Sequence, residues 1–295
     1  MPELKKIKKA VIPAAGFGTR MLPATKAVPK EMLPVAAKPL VQYAIEEATA
    51  SGIETIILVT RKHKSVVQAH FSRDRELESF LEDHQQTAAA DLVRQLGEFA
   101  ELRFVEQDKP LGLAHAIFCA RTLVKEEAFA VLLPDVIMPC AEPVTRQIVG
   151  AHDQHGGSVI AIREIEPREV ERHGVVRVGS ATVGGVPKSI RLTGLVEKPS
   201  LEDAPSRFGI IGRYVLEPAI WDAIVKTDCD ARGELQLTDA LNLLCRQSPL
   251  YGFLFDGEHF DAGDRIGYLK ANIELTLRDP DLQHSFRGYL EQLVS

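Results

Sequence analysis

The stretch AAGFGTRMLP, residues 14–23, decides the fold, because it directly follows a short apolar strand predicted at Lys9 to Pro13. Its two glycines let backbone N–H groups approach an anion closely. A dinucleotide-binding turn would need glycine where Met21 stands, and the proline two residues later prevents a long helix from starting at once. The turn is instead followed by two cations, Arg20 and Lys30, an arrangement that suits a triphosphate.

Outward from this turn, short apolar runs alternate with helical patterns. Further strands are predicted at Thr55 to Thr60, Leu102 to Val105, Phe129 to Leu133, Ser158 to Arg163 and Thr193 to Val196. Crossover helices are predicted at Gln42 to Ser51 and Leu113 to Val124. This alternation indicates an α/β protein with a doubly wound, Rossmann-like core, in which helices flank a mixed and mostly parallel sheet. Ligands of such folds bind at the carboxyl ends of the strands.

Two segments are predicted to be additions to this core. Residues 74–101 are charged, with apolar residues at helical spacing, so we expect a helical insertion that is a surface excursion rather than a partner-binding element. Residues 264–295 are expected to form closing helices, over Tyr268 to Leu277 and Leu282 to Val294. The rest, residues 1–263, is predicted to be one domain with its two halves divided at about residue 157.

Composition narrows the class of function. The formal net charge of −6 over 295 residues argues against general affinity for nucleic acid or anionic membranes, which would need an excess of Lys and Arg. The four cysteines form no CxxC pair, so neither a zinc site nor a disulfide framework is indicated. No apolar run approaches the roughly 20 residues that cross a bilayer. We therefore expect a cytoplasmic protein with reduced thiols.

Several motifs in the same order resemble the sugar-phosphate nucleotidylyltransferases. The glycine-rich turn continues through Lys26, Pro29, Lys30, Glu31 and Met32, and this longer form resembles the bacterial uridylyltransferases of that family. The other matching segments are residues 107–116, 133–135, 196–199, 212–214, 233–239 and 261–263. Ala114 and Ala262 depart from the uridylyltransferase pattern, and Ala114 is more typical of the related thymidylyltransferases. The resemblance spans residues 8 to 270.

The resemblance implies transfer of UMP from UTP to glucose 1-phosphate, with Mg²⁺ as the only cofactor and a homo-oligomer, dimer or tetramer, as the assembly. The implied catalytic residues are Arg20, Lys30 and Lys198. The implied nucleotide-binding residues are Ala14, Ala15, Gly16, Gly18, Thr19, Gln107 and Gly112. The implied sugar-phosphate-binding residues are Gly174, Glu197, Lys198 and Gly212. The implied metal ligands are Asp135 and Asp261.

The physical chemistry of these residue types agrees with those roles. The attacking phosphate oxygen of glucose 1-phosphate is already ionised near neutral pH, so positioning and charge stabilisation are the catalytic contributions. Carboxylates that follow strands, as Asp135 does, suit Mg²⁺. The amide of Gln107 offers a donor and an acceptor to a pyrimidine edge, whereas His115 is expected to start a helix rather than bind a ligand.

Alternative functions remain open from the sequence. Ala114 leaves dTTP as a possible nucleotide donor, and a weakly active regulatory paralogue that binds sugar nucleotides is a second alternative because ligand sites can outlive catalysis. A nicotinamide-dependent oxidoreductase is the least favoured, because no acidic residue ends the second strand at Thr60 and Arg61.

Overall fold

The computed structural model describes residues 6–61, 65–182 and 188–294. Residues 1–5, at the start of the predicted domain, and residue 295, at the end of the predicted closing helices, lie outside these ranges. The strands are β1 Lys9–Ala14, β2 Pro34–Val35, β3 Lys38–Pro39, β4 Thr55–Thr60, β5 Glu101–Glu106, β6 Phe129–Leu132, β7 Val136–Ile137, β8 Ser158–Glu164, β9 Gly174–Thr182, β10 Ser189–Glu197, β11 Phe208–Leu216, β12 Leu250–Leu254 and β13 Phe260–Asp261. The helices are α1 Leu40–Ala50, α2 Ser65–His70, α3 Arg75–Asp83, α4 Thr87–Leu96, α5 Leu113–Cys119, α6 Arg121–Val124, α7 Val144–His155, α8 Ile220–Val225, α9 Leu237–Gln247, α10 Arg265–Thr276 and α11 Gln283–Val294.

Nine of the described strands form one mixed sheet in the order β5-β4-β1-β6-β11-β8-β12-β10-β9. Strands β5, β4, β1 and β6 are parallel, while β11 runs antiparallel to both β6 and β8. The strand order therefore reverses at β1, because β4 lies on one side of it and β6 on the other. Doubly wound sheets bind ligands at such a switch point. The predicted fold class, a mixed sheet with flanking helices and a helical C-terminus, is confirmed. The sheet is not mostly parallel as predicted, because four of the eight neighbouring pairs in this order are antiparallel.

The two faces of the sheet are covered by different sets of helices. Val11 of β1 belongs to a buried cluster that includes Ile117 of α5 and Leu241 of α9. The next residue of the strand, Ile12, belongs to a second cluster on the opposite face, with Ile45 of α1. Successive side chains of a strand point to opposite faces, so an uninterrupted apolar run fills both layers.

Some predicted boundaries are wrong. The single helix predicted at Leu113 to Val124 is two helices, because Ala120 N–H donates to the carbonyl of Ile117 at 3.0 Å and this tighter turn closes α5. Helix α10 begins three residues before the predicted Tyr268, because the Asp264 side chain accepts from Gly267 N–H and caps it.

Helices α3 and α4 occupy most of residues 74–101, and an ion pair connects them. The buried carboxylate of Glu78 pairs with Arg73 at 2.5 Å and with Arg94 at 3.6 Å. Several apolar side chains on these helices remain exposed, and Phe80 is 54% exposed.

None of the described helices combines the length and apolar character needed to cross a membrane. The division of residues 1–263 at about 157 stays a prediction.

A buried ion pair ties β11 to α1 and to the turn after β6. Arg213 is 0% exposed, and its guanidinium donates to the Glu47 carboxylate at 2.8 to 3.1 Å. The remaining N–H groups reach the carbonyls of Gly212, Leu133 and Val136 at 2.8 to 3.2 Å. All five donors of the guanidinium are therefore satisfied, which offsets the cost of burying its charge.

We expect Arg213→Met to destabilise the protein by roughly 3 to 5 kcal/mol, because it leaves the Glu47 carboxylate buried without its cation. The free energy of unfolding from urea titrations checks this. The control is Arg207→Met, since Arg207 pairs with Glu164 on the surface, where an ion pair is worth about 0 to 1 kcal/mol. Equal losses in the two variants would show that the buried pair does not hold the core.

Candidate active site

The glycine-rich turn after β1 is held in shape by its own side chains. Gly18 adopts a φ of 63°, in the left-handed region, and its carbonyl accepts a 2.7 Å hydrogen bond from Thr25 Oγ1. A Cβ at Gly18 would lie 3.0 Å from Lys30 Cβ and from Thr25 Cγ2. Glycine is required here by both conformation and space, and the close approach brings Lys30 alongside the turn.

Two carboxylates from distant parts of the sequence meet beside this turn. Asp135 follows β6 and Asp261 ends β13; Asp261 pairs with Val136, and Ala262 N–H donates to the Asp135 carbonyl at 2.8 Å. A Cβ at Gly263 would lie 2.8 Å from Asp261 Oδ1 and 2.9 Å from Asp135 Oδ2. The two oxygens therefore face one small space, and any side chain at Gly263 would fill it.

Lys30 and the two carboxylates shift one another's pKa values. Lys30 Nζ lies 2.8 Å from Asp135 Oδ2. Burial opposes ionisation of Asp135, but the Lys30 ammonium outweighs it and holds the pKa of Asp135 below its ordinary value. Burial also lowers the pKa of Lys30, and the Asp135 charge overcomes that effect and raises it. For Asp261, burial and the neighbouring Asp135 charge outweigh the hydrogen bond that its carboxylate accepts from Gly263 N–H, and they raise its pKa.

A hard divalent cation fits this pair of carboxylates. It would relieve the repulsion between Asp135 and Asp261, and Mg²⁺ is usually held by one or two carboxylates together with substrate phosphates and water. In the described residues, no three or more His, Cys, Asp or Glu side chains are grouped as a metal site. Asp135 and Asp261 would supply two carboxylate ligands, and the other ligands would come from substrate or solvent.

A second group of predicted residues lies at the facing ends of β9 and β10. Glu197 pairs in register with Gly174, and its Oε2 accepts a 2.6 Å hydrogen bond from Thr238 Oγ1. A Cβ at Gly174 would lie 2.8 Å from Thr238 Oγ1, so glycine is required. Lys198 follows with a φ of 42°, which is uncommon for a residue with a side chain, and its Nζ lies 2.6 Å from Glu197 Oε1.

These groups line two adjoining clefts of about 300 Å³ each. The first cleft contains the predicted residues Ala15, Gly16, Lys30, Gln107, Gly112 and Asp135. The second contains Arg20, Asp135, Gly174, Glu197, Lys198, Gly212 and Asp261. Asp135 is the predicted residue common to both. Ala14 and Thr19 line neither cleft; they face a third cavity on the other side of the turn, which Gly16 and Lys30 also line.

Gln107 stands at the end of β5 and is only 5% exposed. Its Nε2 lies 3.2 Å from the carbonyl oxygen of Gly112 and 2.9 Å from Nδ1 of His115. Gly112 has a φ of 93°, and a Cβ there would lie 2.6 Å from the carbonyl oxygen of Leu235. Gln107 and Gly112 were both predicted to bind the nucleotide, whereas the contact of Gln107 with His115 was not predicted.

Sequence reasoning missed several residues that line the second cleft, among them Arg172, His173, Tyr214, Glu234 and Thr238. Thr238 lies within the matching segment 233–239, so the motif marked the segment without giving the residue a role. The backbone of Leu235 in that segment donates to Leu111 O at 2.8 Å and accepts from Ala114 N–H at 3.0 Å. The segment therefore closes the first cleft as well as lining the second.

Residues 9–277 match the sequence profile of the nucleotidyl transferase family. The chain belongs to this family. It is 41% identical over 290 residues to the UTP–glucose-1-phosphate uridylyltransferase YngB of Bacillus subtilis strain 168, and the alignment covers 98% of this chain and 96% of the relative. The resemblance inferred from the sequence motifs is confirmed.

Solved structures of nucleotidyl transferases share the architecture. A UTP-bound UGPase from Acinetobacter baumannii is similar to this chain with a TM-score of 0.89 and 36% identity, over 97% of this chain and 99% of that one. A UDP-glucose pyrophosphorylase complexed with UDP-glucose is similar with a TM-score of 0.83 and 34% identity, over 92% and 100%. The fold similarity thus extends over nearly the whole chain.

The pKa of Asp135 is lowered and that of Asp261 is raised. Replacing each residue with Asn should therefore change stability in opposite directions at pH 7 in the presence of a chelator. Asp261→Asn should raise the Tm, because ionised Asp261 opposes folding, and Asp135→Asn should lower it, because ionised Asp135 pairs with Lys30. The Asp261→Asn gain should shrink as the pH falls through the raised pKa of Asp261, where the parent side chain takes up a proton.

The Asp135→Asn loss should also shrink in acid, because stability from a carboxylate with a lowered pKa disappears as pH falls through that pKa. Thermal unfolding of the parent and both variants at pH 7, near pH 4 and well below the ordinary aspartate pKa of 3.8 measures these differences. A lower Tm for Asp261→Asn at pH 7 would contradict the repulsion between the two carboxylates.

Proposed function

We propose that this nucleotidyl transferase joins UTP and glucose 1-phosphate, forming UDP-glucose and releasing pyrophosphate. The observation that carries the proposal is the pair of clefts that meet at Asp135, one lined by Gln107 and the glycine-rich turn and the other by Glu197 and Lys198. The substrates are those in the name of the 41% identical relative. A two-substrate transfer requires two binding sites that adjoin at the reacting atoms, and two clefts that share Asp135 support such a transfer.

In the reaction, an ionised phosphate oxygen of glucose 1-phosphate attacks the α-phosphorus of UTP. The new P–O bond forms as the bond to the pyrophosphate leaving group breaks, and no proton has to be removed from the nucleophile. The task of the protein is to align the two phosphates and to stabilise the charge that develops. Arg20 and Lys30 supply cations for the triphosphate, while Lys198 holds the acceptor phosphate and Glu197 accepts hydrogen bonds from sugar hydroxyls.

Mg²⁺ is the divalent cation that we assign to Asp135 and Asp261. When bound there it would neutralise charge on the phosphate oxygens. Lys30 Nζ lies 2.8 Å from Asp135 Oδ2, so a divalent cation held by Asp135 would compete with Lys30 for that carboxylate. The Lys30 ammonium would then be available to the nucleotide phosphates.

The structure gives no support to dTTP as the preferred donor. Ala114, the residue that raised this alternative, is fully buried in the core cluster and lines neither cleft. Ala262, the other departure, is also fully buried. Neither methyl group is placed to contact a base, so we assign the donor as UTP.

We also propose that the protein works in the cytoplasm as a homo-oligomer, either a dimer or a tetramer. The four cysteines are free thiols, which suits a reducing compartment. Apolar side chains on α10 and α11 are exposed in the single chain, including Ile266, Leu269 and Leu293, and they support an association that light scattering would measure.

Pyrophosphate release should be fastest with UTP and glucose 1-phosphate when Mg²⁺, each nucleoside triphosphate and each hexose 1-phosphate are tested in turn. Glucose 6-phosphate should be inert because its phosphate is not on the anomeric carbon. A coupled assay for pyrophosphate measures both results. Faster turnover with dTTP than with UTP would overturn the assignment of the donor.

Lys198→Ala should lower kcat/KM for glucose 1-phosphate by roughly 10- to 150-fold, because a charge-assisted hydrogen bond contributes about 1.5 to 3 kcal/mol. Steady-state kinetics at saturating UTP measure the loss. The control is Lys270→Ala, an exposed lysine on α10, which should keep the parent value. A kcat/KM for Lys198→Ala within twofold of the parent would remove Lys198 from the acceptor site.

A further inference from the structure

The orientation of the Gln107 side-chain amide is fixed by its neighbours. The carbonyl oxygen of Gly112, 3.2 Å away, can only accept a hydrogen bond, so the amide atom facing it must be the NH₂ group. The same Nε2 lies 2.9 Å from Nδ1 of His115. Both protons of the amide are therefore directed at the protein, one to Gly112 and one to His115.

This geometry also determines the protonation of His115. Because Gln107 Nε2 is a donor, Nδ1 of His115 must carry a lone pair, and the ring must be neutral with its proton on Nε2. Burial lowers the pKa of His115, which favours the same neutral form. The nearest other polar side-chain atom on α5 is Cys119 Sγ, 3.9 Å from Nδ1, and it carries no formal charge as a thiol.

The consequence lies on the other side of the amide. Gln107 Oε1 accepts no hydrogen bond from the described part of the chain, and it is not fully buried. Gln107 also lines the first cleft. A base entering this cleft therefore meets a hydrogen-bond acceptor at Gln107, not a group that can donate or accept as required.

We propose that His115 is a specificity-determining positioning residue, which holds Gln107 with its carbonyl oxygen toward the cleft and so selects uracil over cytosine. The inference rests on the proposed function, in which the first cleft takes the nucleotide. Uracil carries an N–H at ring position 3, which can donate to Gln107 Oε1. Cytosine carries a lone pair at that position, so two acceptors would face each other and both would remain unpaired.

Selection of this kind can be strong because it penalises the wrong ligand instead of only favouring the right one. A buried polar group left without its partner costs more than an average hydrogen bond contributes. Without the acceptor on His115, only the bond to Gly112 holds the Gln107 amide, so a rotation that turns NH₂ toward a base breaks one hydrogen bond instead of two. The variant protein should then accept cytosine more readily and bind uracil less tightly.

The test compares His115→Phe, which removes the acceptor and keeps a planar ring, with His115→Asn, whose Oδ1 can take the position of Nδ1. The ratio of kcat/KM for UTP to that for CTP should fall by about 10-fold in His115→Phe, the value of one net hydrogen bond. The loss should appear mainly as a higher KM for UTP. His115→Asn should restore the ratio to within about threefold of the parent.

A merely structural role for His115 would lower kcat equally for both nucleotides and leave the ratio unchanged, and that result would overturn the inference. An equal fall of the ratio in His115→Asn and His115→Phe would also overturn it, since the acceptor would then not matter. If His115→Phe does not fold, His115→Ala, which adds no volume, is measured in its place.

Binding of UMP and CMP by calorimetry separates this inference from the proposed function. A parent protein that releases no pyrophosphate with any nucleotide would contradict the proposed function. The preference for UMP over CMP, and its loss in His115→Phe, would still support the role of His115. Conversely, an active parent whose preference for UMP persists in His115→Phe would overturn the role of His115 and leave the proposed function standing.

Discussion

The ion pair between Arg213 and Glu47 fixes the turn at residues 133–136, and the geometry of the site depends on that turn. Arg213 holds the carbonyls of Leu133 and Val136 at 3.0 and 2.8 Å, on either side of Asp135. Glu47 in turn accepts from the backbone N–H and hydroxyl of Thr145. A fully bonded buried pair of this kind resists displacement because any shift would leave a buried charge without a partner.

Asp135 is thereby held where the two clefts meet, with a cation on one side and a like charge on the other. Lys30 stabilises its ionised form, while Asp261 is close enough to have its own pKa raised. The two carboxylates thus repel each other at some cost to the stability of the fold, and a bound cation would relieve that repulsion. In the proposed reaction, metal, nucleotide and acceptor would each be positioned with respect to Asp135.

The sequence predicted those features whose cause is local. The glycine-rich turn follows from Gly18 and its neighbours, and the position of Asp135 after a strand follows from the apolar run that precedes it. The role of Asp135 as a metal ligand stays a prediction. The Arg213–Glu47 pair could not be predicted, because Arg213 lies inside an apolar strand and its partner is 166 residues away. The role of His115 depends on which way an amide faces, and sequence spacing carries no such information.

A crystal structure with UDP-glucose and Mn²⁺, read by anomalous scattering, tests most directly whether the two clefts form one site. We predict a manganese peak between Asp135 and Asp261, the uracil ring against Gln107 and the glucosyl group against Glu197. Manganese bound by neither carboxylate, or UDP-glucose bound outside the two clefts, would contradict this.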